Sequence, residues 1–119
     1  MTFNVDVVLR GSDAAVTEKA KMASADASAW TDADVRQVLV EILRAIERAQ
    51  HPNADPNRMV ALRGFSWIVE PNADHEVVIA IEIPMGAAVA GPFKTSQAKL
   101  DAAITRVLAE QSASQQTIH

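Results

Sequence analysis

The chain has 119 residues, enough for one domain with a single core, and at 49% hydrophobic but only 4% aromatic that core must be mostly Val, Ile, Leu and Ala. A net charge of -4 without any Lys/Arg cluster argues against nucleic acid, because neutralising phosphates needs grouped cations. No apolar run has membrane-spanning length, no basic stretch with an apolar run behind it opens the chain, and zero Cys removes disulfides and thiolate chemistry, so a soluble cytoplasmic protein is expected.

Phe3, Val5, Val7 and Leu9 alternate with Asn4, Asp6, Val8 and Arg10, the pattern of a half-buried strand that ends at Gly11-Ser12. Residues 11–29 carry weaker signals. Asp13 to Met22 is read as a short helix capped by Ser12, burying Val16 and Ala20. Ala23 to Ala29 is an Ala/Ser stretch read as a linker or mobile loop.

Trp30 to Ala49 is the strongest helix. Thr31 can accept from the first-turn backbone donors, and Asp34 stands where a capping box places its acid. Trp30 and Val35 occupy the staple positions. Val35, Val38, Leu39, Ile42, Leu43, Ile46 and Ala49 keep the helical period. Pro52 and Pro56 stop the helix and make 50–58 a connection.

Met59 to Ile83 reads as a β-hairpin around which the rest is organised. Its two β-branched and aromatic runs, Val60 to Val69 and Glu76 to Ile83, flank the turn residues Pro71-Asn72-Ala73-Asp74. Taking those four as the loop pairs Glu70 with His75. One face then carries Leu62, Gly64, Ser66 and Ile68 with Val77, Ile79, Ile81 and Ile83, and is expected to be the core. The other carries Arg63 opposite Glu82, Phe65 opposite Ala80, Trp67 opposite Val78, and Val69 opposite Glu76. Gly64 opposite Ile81 would let a neighbour approach closely.

Pro84 ends the hairpin. Gly86 to Gly91 is a small-residue run that fits a fourth short strand or a close-packed loop. Thr95 or Ser96 caps a last helix with Leu100, Ala103, Ile104, Val107 and Leu108 on one face. From Ser112 the chain is polar, and 112–119 is expected to fray. The fold expected is one α+β domain over 1–119. It has a small antiparallel sheet of three to four strands and two main amphipathic helices on one face.

Little in the chain suggests chemistry. His51 follows a helix C-terminus, where it favours the dipole. His75 lies in a turn between Asp74 and Glu76, which alternation would point in different directions. His119 is terminal. Gly86 to Lys94 lacks the Gly-Lys-Ser/Thr run of a phosphate loop, since Pro92 and Phe93 intervene. No catalytic residue, metal site or cofactor is expected. The second hairpin face is too apolar for solvent and too charged for a core. Arg63, Phe65, Trp67, Val78 and Glu82 are therefore the candidate ligand or interface residues. The leading expectation is a non-catalytic interaction or small-ligand-binding module, a homodimer through the Trp67/Phe65 face. The alternative is a small enzyme acting on an apolar small molecule, with Glu82 as acid or base and Arg63 orienting an anionic group. A carboxylate paired with Arg has a lowered pKa and suits a general acid poorly.

Overall fold

The computed structural model describes residues 1–12, 14–24, 26–53, 55 and 60–117, of which 111–117 are described as backbone only. Asp13, Pro56, Met59 and His119, which figure in the expectations above, lie outside the described residues. The elements are β1 (Thr2–Leu9), β2 (Val16–Lys21), a short 3-10 turn (Ala27–Ala29), α1 (Asp32–Gln50), β3 (Ser66–Pro71), β4 (Val77–Ile83), β5 (Gly86–Phe93) and α2 (Gln97–Thr117). The strands form one antiparallel sheet in the order β2-β1-β5-β4-β3. Both helices cover the same face, α1 over β1, β2 and β5, and α2 over β3. The α+β class is as expected, with five strands in place of three or four.

The core lies between this sheet face and the helices. β1 contributes Phe3, Val5 and Val7 of its predicted inward set, with Leu9 half-buried, and β4 contributes Val77, Ile79 and Ile81. α1 buries Val35, Val38, Leu39, Ile42, Ala45 and Ile46 along one stripe. Its capping box is present as predicted. The Asp34 N–H donates to Thr31 Oγ1 at 3.2 Å, and the Thr31 N–H donates to Asp34 Oδ2 at 3.0 Å. At the other end the His51 N–H donates to the Glu47 carbonyl at 2.8 Å. Of the two caps offered for α2, Ser96 serves: its Oγ accepts from the Lys99 N–H at 3.1 Å. Leu100, Ala103, Ile104 and Val107 are buried, and α2 runs through Thr117.

Segment 11–29 differs most from expectation. Val16–Lys21 is a strand paired with β1, not a helix. Ala, Glu and Lys favour helices locally, but the open edge of β1 offers a full ladder of hydrogen bonds, and tertiary pairing overrides propensity. The period is two: Ala20 and Met22 are buried and Glu18 half-buried, while Thr17, Lys19 and Lys21 are exposed. Val16, expected inside, is 42% exposed. After the strand, Asp26 caps the 3-10 turn by accepting from the Ser28 N–H and Oγ, which holds its carboxyl below the usual range.

The hairpin register differs too. Pro71 pairs with Val77, so the turn is Asn72 to Glu76 rather than Pro71 to Asp74. The Asn72 N–H donates to the Glu76 carbonyl and the Glu76 N–H to the Ala73 carbonyl, both at 3.0 Å. His75 takes the left-handed conformation at φ 59°. Trp67 therefore faces Ile81, not Val78, a shift of three residues. An odd shift exchanges the two faces of a strand. Val69 and Trp67 turn toward the helices, and Ile68 turns out to solvent. Arg63 precedes β3 and does not stand opposite Glu82, whose partners are Ser66 and Ala87. Gly64 is also outside the ladder. Its φ of 79° explains the glycine, and nothing crowds its missing side chain.

Gly86 to Gly91 is the start of a full strand, and β5 is the middle one. Val77 faces Phe93 while Ile79 faces Ala90, so β5 holds an extra residue at Gly91-Pro92. Gly91 sits at φ 127°, with the Val77 carbonyl 3.2 Å from where a Cβ would be. This bulge changes the alternation, so that Phe93 points inward like Ala88 and Ala90. Phe93 then packs edge-to-face against Phe3 and Trp30, with ring centroids 5.1 Å apart in both pairs.

Candidate functional site

The face of the sheet away from the helices has no layer over it among the described residues. The strand registers assign its side chains to rows. One row runs Thr17, Asp6, Val89, Ala80, Ile68 from β2 to β3. The next runs Val8, Ala87, Glu82, Ser66 from β1 to β3. On the other side of the first row, Lys19 pairs with Asn4 and Asn4 with Gly91, while Val78 pairs with Glu70. Ile68 is 52% exposed, Val8 47% and Val89 42%. Val78 and Ala80 are half-buried between them. Thr17 Oγ1 donates to Asp6 Oδ1 at 2.6 Å, so the polar end of the first row is internally satisfied.

Three shallow depressions, of about 310, 320 and 330 Å³, adjoin at Glu82 and open to solvent. The first lies between Ile68, Ala80 and Val89. The second lies between Val8, Arg10 and Pro84. The third lies between Gly64, Phe65 and Pro84.

The five residues singled out from the sequence are distributed as follows. Val78 and Glu82 are on the open face. Phe65 and Trp67 are half-buried and pack against the core cluster, and each lines one of the depressions. Arg63 is exposed and precedes β3, outside the strand ladder. The open face owes its apolar character instead to Ile68, Ala80, Val89 and Val8. Val8 and Ala80 are the two of these that strand alternation alone marks as outward. Ile68 and Val89 needed the true register of β3 and the strand assignment of β5.

The sheet edges are less available than the face. Gln97 Nε2 donates to the Val69 carbonyl on edge strand β3 at 2.8 Å. Arg48 Nη2 donates to the Lys19 carbonyl on edge strand β2 at 3.2 Å, and Arg48 also pairs with Glu18 at 3.5 Å. A helix side chain thus occupies one carbonyl on each edge, which hinders strand addition there.

The helix layer has its own ion pairs. Asp32 meets Arg106 at 2.9 Å and Arg36 meets Glu110 at 3.0 Å, so α1 and α2 run in the same direction. The Arg106 hydrogen bond holds the Asp32 carboxyl below the usual carboxylate range and raises the guanidinium correspondingly. These are exposed pairs that set helix register, far from the open face. Among the described residues no group of three or more His, Asp or Glu side chains is placed to hold a metal. No helix there is long and apolar enough to cross a membrane. Compared with known proteins, the chain matches no family model, no curated protein and no solved structure.

Proposed function

We propose that this protein is a non-catalytic interaction module that pairs with a second copy of itself through the open face of its sheet. The observation that carries this reading is the apolar centre of that face. Of the five large apolar side chains exposed among the described residues, Val8, Ile68 and Val89 lie on it. Soluble monomers seldom leave such a patch bare. Lys19 and Glu70 are charged residues at its margin, on the two edge strands, which fits the polar rim of a protein–protein contact, while Glu82 lies within the second row. A two-fold contact needs only one self-complementary surface, which makes a second copy the simplest partner. What disfavours the catalytic alternative is that Ser66 and Ala87, not Arg63, stand beside Glu82 in the sheet, and that no ion pair joins Arg63 to Glu82 among the described residues.

Sedimentation equilibrium on the wild type and on Ile68→Asp tests the reading. The wild type should self-associate, and the variant should be monomeric with an unchanged circular dichroism spectrum. A wild type that stays monomeric at tens of micromolar overturns it.

A further inference from the structure

The charges on the open face are sorted by strand. Lys19 and Lys21 stand on β2 and Arg10 just beyond β1, all exposed. Glu70 and Glu82 stand on β3 and β4, also exposed. Asp6 is the exception, and its carboxylate already accepts the Thr17 hydroxyl. Among the described residues none of these five sorted side chains has an ion-pair or hydrogen-bond partner. The helix layer is different, since Asp32, Arg36, Arg48, Arg106 and Glu110 are all paired.

The strand order gives this sorting a consequence. β5 is the middle strand, with β1 and β2 on one side and β4 and β3 on the other. Lys19 lies in the row of Asn4 and Gly91, and the bulge at Gly91-Pro92 sets Val78 and its partner Glu70 in that row. Lys19 and Glu70 are therefore the two ends of one row across the whole sheet.

The geometry points to a specific homodimer, resting on the reading above: two open faces stacked about a two-fold axis that runs along β5. That rotation lays β2 over the partner's β3 and β1 over the partner's β4. Lys19 then faces the partner's Glu70, and the same pair forms again by symmetry. Val8 comes over the partner's Glu82, and Arg10, two residues further along, comes over the end of the partner's β4 on that side. Val89, on the central strand, meets its own copy. A two-fold across the strands does the opposite, because it leaves β2 over the partner's β2 and sets cation over cation. Opposed charge therefore selects one axis, as electrostatic complementarity does in fixing register. The arrangement places Ala80 and Ile68 over the partner's Asp6 and Thr17. Those two side chains already bond each other at 2.6 Å, so they enter the contact as a satisfied polar pair.

The protein has no cysteine, so single-cysteine variants give clean cross-linking. Face-packed sheets lie about 10 Å apart, beyond the Cα reach of a disulfide, so a bis-maleimide of about that span is the probe. A mixture of Lys19→Cys and Glu70→Cys should give the cross-linked heterodimer by mass spectrometry, and Lys19→Cys alone should give no cross-linked homodimer. Lys19→Glu should weaken the wild-type dimer about tenfold, the scale of two reversed exposed ion pairs, and adding Glu70→Lys should restore it. A dimer in which Lys19→Cys cross-links to itself, or in which the mixture gives no heterodimer, overturns the axis while leaving self-association standing. A monomeric wild type overturns both.

Discussion

Ala88 and Val89 are neighbours on β5, yet the smaller is 2% exposed and the larger 42%. The same inversion holds on β3, where Val69 is fully buried and Ile68 is 52% exposed. Side-chain hydrophobicity does not explain either pair; the layer over each face does. The helix-covered face closes over Phe3, Ile79, Ile81 and Phe93, and two ion pairs, Asp32–Arg106 and Arg36–Glu110, join the helices above it. The open face combines large apolar side chains with unpaired, sorted charges. One face is completed within the chain. No described residue covers the other.

This comparison is sharpened first by truncation on each side. Ile79→Ala, on the covered face, should cost about 2–5 kcal/mol from lost burial and the cavity left behind. Ile68→Ala, on the open face, should change the stability of the monomer by no more than about 0.5 kcal/mol. Urea unfolding at low protein concentration checks both, and equal losses would break the distinction between the faces. A smaller effect belongs to the layer that covers the core. Thr31→Ala should cost about 1 kcal/mol through loss of the α1 cap, seen as a lower unfolding midpoint. It should leave self-association untouched, since Thr31 lies on the helix side.

The parts of this fold that could be read from sequence are those dictated locally. α1 announces itself through its stripe and through Thr31 and Asp34, whose bonds are both made. β1 and the inward set of β4 follow from alternation. Two things were hidden because they are settled by contacts distant in sequence. β2 is rich in residues that suit a helix and buries only Ala20 fully within its span, so only its pairing with β1 makes it a strand. The register of β3 depends on the turn, where left-handed His75 and the pairing of Pro71 lengthen the loop. That one turn decided the candidate site. With the shorter loop Trp67 and Phe65 belong to the second face; with the observed loop Ile68 does, and Trp67 joins the core. The existence of an apolar second face was legible, and so was its membership on β4, but its membership on β3 and β5 was not.

Ala88→Asp beside Val89→Asp measures the difference between the two faces of the sheet most directly. Ala88→Asp buries an unpaired carboxylate under the helices, a change proteins seldom survive. It should lose its cooperative unfolding transition. Val89→Asp should keep the wild-type circular dichroism spectrum and a cooperative transition, and it should sediment as a monomer at concentrations where the wild type is associated. A Val89→Asp variant that remains as associated as the wild type would contradict that difference.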